Sequence, residues 1–272
     1  MDIRSNISRM HRLPGKACGH PAPLRRNAVG DELARTILSA CRANDRGKVL
    51  NILRRVNKAY GKPSPLRKTP PINELIRTIL SQNTNDANSL AAFAILKRNF
   101  TSWDGLLTAD TRHIAGLIRH AGLANIKARR IKEVLAEIKR REGSLSLASL
   151  TRMDTGTALA YLRSLKGVGP KTAACVLLFS FGKPVMPVDT HIFRVAKRLG
   201  LIGPKTSIDE AHEKLTALVP IVPRDLIYEF HLGIIEHGRK TCKAQNPGCG
   251  FCVLYTMCTF KDKALYRARN AG

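Results

Sequence analysis

The chain has 272 residues, 44% of them hydrophobic, enough to bury one large core or two modest ones. Its 46 Lys and Arg against 20 Asp and Glu give a formal charge of +26; such a field attracts a polyanion, with nucleic acid the first candidate and an anionic membrane surface the second. The longest apolar run, 173–181, falls far short of the roughly 20 residues of a spanning helix, and 5% aromatics argue against a base-stacking sheet of the single-strand-binding kind.

Residues 1–30 carry Arg4, Arg9, Arg12, Lys16, Arg25 and Arg26 against the lone acid Asp2, with Pro14, Pro21 and Pro23 interrupting any helix. This composition predicts a disordered basic arm; an organelle transit peptide shares the arginines, but the prolines and weak amphipathicity argue against one. Cys18 and Cys41 lie outside any ligand spacing and read as ordinary thiols. From Asp31 onward the period is helical. Val49, Ile52, Leu53, Val56 and Tyr60 form a stripe that Gly61 and Pro63 stop. A helix is expected over about 73–81 with Leu75, Ile76, Ile79 and Leu80 as its apolar face, and another from Asn85 or Asp86 through Leu96. Two more follow at about 111–119 and 124–141, separated by Gly122. The second bears Lys127, Arg129, Arg130, Lys132, Lys139, Arg140 and Arg141, which is either a solvated face or a DNA contact. No segment alternates as a strand does and no solenoid repeat occurs, so the fold class is all-α.

In the string from Leu165 to Arg194, Gly167-Val168-Gly169 makes a tight turn, and Pro170 suits the first position of a helix over 171–181 that Gly182 ends. Helix, Gly-x-Gly turn, helix is the helix-hairpin-helix arrangement, whose exposed amides and helix N-terminus hold a phosphate without reading sequence. A plain helix-connecting turn would look the same. Lys171 stands in the first turn of the second helix, where the dipole disfavours a cation. With partial burial the neutral amine is favoured, and a neutral amine attacks an electrophilic carbon; a phosphate contact is the other reading. Asp189, just before the run Ile192, Phe193, Ala196, Leu199, reads first as an N-cap. Capping leaves its carboxylate able to stabilise cationic character on a sugar ring.

Cys242, Cys249, Cys252 and Cys258 form a C-x6-C-x2-C-x5-C array within seventeen residues. Four soft thiolates on a short segment wrap one metal centre, either tetrahedral zinc or an iron–sulfur cluster, and a single C-x2-C pair tilts the reading toward [4Fe–4S]. Two structural disulfides would need an oxidising compartment, which no signal peptide supports.

Taken together, LSQNTND at 80–86, LKGVGPKTA at 165–173, VDTHIFR at 188–194, HGRKTC at 237–242 and the cysteine array resemble the endonuclease III family of DNA glycosylases over 73–258. The resemblance implies a helical lobe at 73–182 and a second lobe of 31–72 plus 183–272 carrying a [4Fe–4S] cluster, with 1–30 as the arm. It implies a cleft that takes a base flipped from damaged or abasic double-stranded DNA, with Lys171 as nucleophile, Asp189 as its carboxylate partner, and Asn83 or Gln82 filling the gap in the duplex. Lys166, Gly167, Val168, Gly169 and Thr172 would hold phosphate at the hairpin, and Arg239, Lys240 and Lys243 beside the cluster loop. The implied activity removes a damaged base, an oxidised pyrimidine by preference, and nicks the strand by β-elimination from a lysine Schiff base, in a monomer of the cytoplasm and nucleoid without membrane association. Two departures stand out. Leu165-Lys166 replaces the family's usual Leu-Pro before the hairpin, and Gln82-Asn83-Thr84 replaces its commoner single-glutamine wedge, so the preferred lesion does not carry over. His191 reads as structural. The other readings are a thymine or uracil mismatch glycosylase or an adenine glycosylase of the same superfamily, and a non-catalytic DNA-binding iron–sulfur protein.

Overall fold

A computed structural model describes residues 46–219 and 225–269, so the arm expected over 1–30, Cys18 and Cys41 lie outside the described residues. Residues 49–272 form one compact unit, and the other unit, 1–48, has only 46–48 described. The helices run α1 (46–60), α2 (Pro71–Leu80), α3 (Asp86–Asn99), α4 (Trp103–Thr108), α5 (Thr111–Leu117) and α6 (Ala124–Glu142). They continue as α7 (Thr155–Arg163), α8 (Pro170–Val176), α9 (Thr190–Arg198), α10 (Ile208–Leu218), α11 (Leu226–Lys240) and α12 (Lys263–Arg269). Among the described residues there is no strand, as the sequence leads one to expect, and no helix long and apolar enough to cross a membrane.

Six of the helix starts are set by a side chain that accepts from the first free amides. Asn85, Ser102, Asp110, Asp154, Asp189 and Ser207 all cap in this way, and Ser207 with Glu210 completes a reciprocal capping box. Helix α2 begins two residues earlier than expected, because Pro71 occupies the first helical position, where the missing N–H costs nothing. Helix α5 ends earlier than expected, at Leu117, and a 3-10 turn (Arg119–Ala121) carries the chain to Gly122.

Two clusters of buried side chains organise the unit. The first runs from Ile72 to Val185 and takes Leu75, Ile76, Ile79, Leu80, Ile131, Leu135 and Ala173. The second joins Val49, Ile52 and Val56 of α1 to Met186, Ile192, Val195, Phe230 and Ile234. Helices α1 and α11 approach so closely that a Cβ on Gly233 would lie 2.7 Å from Val56 Cγ1. Each fully buried Ile or Leu contributes on the order of 1.5–3 kcal/mol by burial alone. The seam between the clusters is a π-helical segment, Leu177–Phe181, that continues α8: Leu177 belongs to the first cluster and the next residue, Leu178, to the second. A π segment is rare and favours functional sites.

Most cations of the basic face expected on α6 pair with groups of the protein itself, although Lys127 is the one buried among the seven. Lys127 is 1% exposed and donates to Leu80 O and Ala121 O. Arg130 donates to Gln82 Oε1, Lys132 to Ala109 O and Lys139 to Asp104, while Arg140 and Arg141 both pair with Glu137.

Candidate active site

The turn between α7 and α8 is built as a hairpin. Gly167 has φ +87°, and a Cβ there would lie 2.6 Å from the Arg130 side chain, so both backbone conformation and packing require glycine. Val168 is buried, and its amide donates to Leu165 O at 3.0 Å, closing the turn from within rather than facing outward. The unpaired amides are others: among the described residues no acceptor meets the N–H of Gly167, Gly169, Lys171 or Thr172. Gly169 caps α8 without a side chain, and nothing crowds its Cβ position within 4 Å. Free amides at an open helix N-terminus are an anion site. Lys166 stands beside it, 85% exposed and 3.5 Å from Glu133. The Thr172 hydroxyl faces inward, buried and accepting from Gln82 Nε2.

Lys171, Cys175 and Phe179 recur at four-residue spacing from α8 into its π continuation, and all three line one cleft. Asp189 lines the same cleft while its carboxylate accepts from Ile192 N at 2.8 Å, so the expected cap and the expected site residue are one group. The cleft encloses about 830 Å³ of space open to solvent and draws walls from both cores. On the α2 side Glu74 is buried, accepting from Thr69, Arg77 and Thr78. On the α11 side His231, Ile235 and Arg239, four residues apart, line it as one helical stripe. His231 donates from Nδ1 to Pro187 O at 3.0 Å, and because a carbonyl can only accept, Nδ1 is the protonated nitrogen. Burial, then the Lys171 charge, pushes the imidazole down to about 4, and burial pushes the Cys175 thiol up to about 11. Both groups are neutral at pH 7. Arg239 closes the rim with a bidentate pair to Asp86 at 2.7 and 3.0 Å.

Of the other expected phosphate contacts, Lys240 pairs with Glu236 and lies over the Tyr60 ring, and Lys243 is exposed. His191 bonds to Arg194, whose guanidinium also donates to Gly238 O and Cys242 O, in keeping with a structural part.

The turn after α2 separates the two wedge candidates. Gln82 is held on both sides, donating to Thr172 Oγ1 and accepting from Arg130. Asn83 is exposed at the tip with φ 51°, a left-handed conformation rare outside glycine. A second exposed tip stands next to it. Leu123 has φ 51° and is 50% exposed, and a Cβ on the preceding Gly122 would lie 3.9 Å from Asn83 O. Sequence reading missed Leu123 because an apolar residue before a helix looks like core. It missed His231 as well, although stepping back by fours along α11 from Arg239 reaches it.

Cys242, Cys249, Cys252 and Cys258 line a single cavity whose walls include Val195, Leu199, Pro247 and Leu254. Burial first of all raises the thiols of Cys249 and Cys258 and takes that of Cys252 up to about 11, and Arg198 donates to Cys242 Sγ at 3.3 Å. Thiols in apolar surroundings ionise only when a cation compensates them, which is the chemistry of a metal site. Among the described residues no three His, Cys, Asp or Glu gather tightly enough to hold a single metal ion.

Comparison with known proteins agrees with this geometry. A family profile described as HhH-GPD superfamily base excision DNA repair protein matches residues 76–220, more than half of the chain. Endonuclease III of Sulfolobus acidocaldarius is 36% identical over 66% of this chain and 78% of its own length. An Arabidopsis thaliana protein named as a DNA glycosylase is 38% identical over 60% of this chain, which spans only 55% of that relative. The solved structure of a non-covalent endonuclease III–DNA complex superimposes with a TM-score of 0.68 at 27% identity, covering 81% of this chain and 98% of that one.

Proposed function

The chain belongs to the HhH-GPD superfamily of base excision DNA repair proteins and within it to the endonuclease III family, and from that premise we propose that it is a bifunctional DNA glycosylase and abasic-site lyase acting on damaged, chiefly oxidised-pyrimidine, bases in double-stranded DNA. The observation that carries this reading is the shared cleft of Lys171 and Asp189, lined both by an amine-bearing helix start and by a carboxylate fixed by its own helix. The likeness to a DNA-bound endonuclease III supports duplex DNA as partner. The proposed lobes are 73–182 and 31–72 plus 183–272, and within the unit 49–272 their described residues frame that cleft.

In this mechanism the free amides at Gly167, Gly169, Lys171 and Thr172 hold a backbone phosphate near the lesion. Asn83 and Leu123 enter the duplex as a nucleotide swings into the cleft. The Lys171 Nζ lone pair attacks C1′, the glycosidic bond breaks, and the base departs with its electrons and gains a proton. Asp189 stabilises the positive charge that develops on the sugar. Loss of the second amine proton and opening of the sugar ring give a Schiff base between Lys171 and C1′. Removal of a C2′ proton then expels the 3′ phosphate, and the strand is nicked. The four cysteines would hold a [4Fe–4S] cluster that anchors the segment carrying Lys243 and stabilises the C-terminal part.

Borohydride added during turnover on a duplex with an oxidised pyrimidine tests this reading. A covalent protein–DNA adduct is expected with the native chain and none with Lys171→Gln, which should still bind DNA. Base release without a trappable adduct would make water the nucleophile and the enzyme monofunctional.

A further inference from the structure

The two turns assigned to the duplex are tied together by a buried lysine. Lys127 is 1% exposed, and its ammonium donates to Leu80 O at 2.7 Å and to Ala121 O at 2.7 Å. Leu80 ends α2, three residues before Asn83. Ala121 ends the Arg119–Ala121 turn, two residues before Leu123. Burial alone shifts this ammonium, downward, with no charged group contributing, so among the described residues no carboxylate compensates it. The two carbonyls lie at the negative ends of helical segments and take the place of a counter-ion.

A cation kept in a core without an acid costs several kcal/mol, and methionine would fill the same volume without that cost. Lysine adds one property that methionine lacks: a single nitrogen that fixes two backbone turns to each other. Both tips need such support, since Asn83 and Leu123 each hold a left-handed backbone at φ 51°, a conformation that costs Leu123 about 1–2 kcal/mol and the more tolerant Asn83 less. On the far side of the first tip, Gln82 bonds to Thr172, the neighbour of Lys171, so the turn is also referenced to the reacting amine.

We propose that Lys127 is a positioning residue that sets the register of Asn83 and Leu123, so that both tips enter the duplex together as the nucleotide leaves the stack. The proposal rests on the glycosylase reading above.

The test compares Lys127→Met, Lys127→Gln, Asn83→Ala and the double variant Lys127→Met/Asn83→Ala. Three readouts are taken at a temperature where every variant is folded: fluorescence of 2-aminopurine beside the lesion, single-turnover excision of an oxidised pyrimidine, and single-turnover cleavage of a preformed abasic site. Lys127→Met should lower excision and the fluorescence change about 10- to 100-fold, the scale of a misplaced site, while abasic cleavage stays within about twofold. Lys127→Gln, able to satisfy one carbonyl, should fall between the two and carries the comparison if Lys127→Met does not fold. The double variant should be no slower than the worse single. Equal losses on both substrates, or a double variant whose loss is the product of the singles, would reduce Lys127 to a stabilising group and overturn the proposal. If the native chain opens the duplex by fluorescence but cleaves neither substrate, the glycosylase reading has failed and the excision argument falls with it; if it cleaves both while Lys127→Met leaves fluorescence unchanged, only the positioning proposal has failed.

Discussion

Asp189 carries two loads that substitution can separate. Its carboxylate caps α9 through a 2.8 Å bond from Ile192 N and also lines the Lys171 cleft. Asp189→Asn keeps an oxygen for that bond and loses only the interaction of a charge with the helix dipole, worth about 0.3–1 kcal/mol. Asp189→Ala loses the cap itself, about 1 kcal/mol on average, equivalent to about 2–4 °C in melting temperature for a unit of this size. The catalytic losses rank differently. Removing one preorganised electrostatic stabiliser raises a barrier by about 2.7–4 kcal/mol, or about 100- to 1000-fold in rate, and both substitutions remove the charge. The two variants should therefore be almost equally slow in single-turnover excision while Asp189→Ala melts measurably lower, and both should bind undamaged duplex as the native chain does. An Asp189→Asn variant that excises within about threefold of native would show the carboxylate to be a cap alone, because the charge would then account for less than about 1 kcal/mol of the barrier.

Lys166, 85% exposed beside the hairpin amides, should act as one phosphate contact: Lys166→Ala should lower the slope of log affinity against log salt by about one and leave excision at saturating enzyme unchanged. Purified protein should be brown and contain iron rather than zinc; Cys249→Ser should lose iron and loosen the C-terminal segment, seen as faster proteolysis there, because binding at such a site is coupled to folding. His231 lies near 4 in the folded protein against 6.5 ordinarily. A neutral buried imidazole of this kind contributes stability that is complete above pH 6.5 and is lost as the pH falls toward 4. Denaturant titrations across that range should therefore show a decline that is shallower in His231→Gln, and an unchanged slope would place the acid sensitivity in other groups.

Helix starts were legible because they are chemical events on one short segment. Asn85, Asp189 and the Gly167–Pro170 turn announce themselves by side-chain oxygens or by glycine and proline at set offsets, and each lies where sequence reading put it. The positions of Lys171 and Asp189, which share one cleft, were legible for a related reason, since each stands at a fixed offset from a turn or a helix start. What stayed hidden depends on a third dimension. The π segment at 177–181 has no compositional mark, and the choice between Gln82 and Asn83 turns on a backbone angle and on partners 48 and 90 residues away.

Lys127 shows what charge counting along α6 leaves out. The count registers seven cations on one helix, but a count is blind to acceptors brought by other elements: carbonyls of Leu80, Ala109 and Ala121, the Gln82 amide and the Asp104 carboxylate. Of the seven, Arg129 alone is without a partner among the described residues. The net charge still steers a polyanion toward the molecule, because that field sums over all charges at long range. Close contact follows a different rule. An exposed pair such as Lys139 with Asp104 holds by no more than about 1 kcal/mol and a phosphate can replace the carboxylate, whereas the buried Lys127 cannot turn outward without abandoning two carbonyls in the core. Phosphate capacity is thus better predicted by open amides and exposed cations, as at Gly169 and Lys166, than by the density of lysine and arginine in a helix.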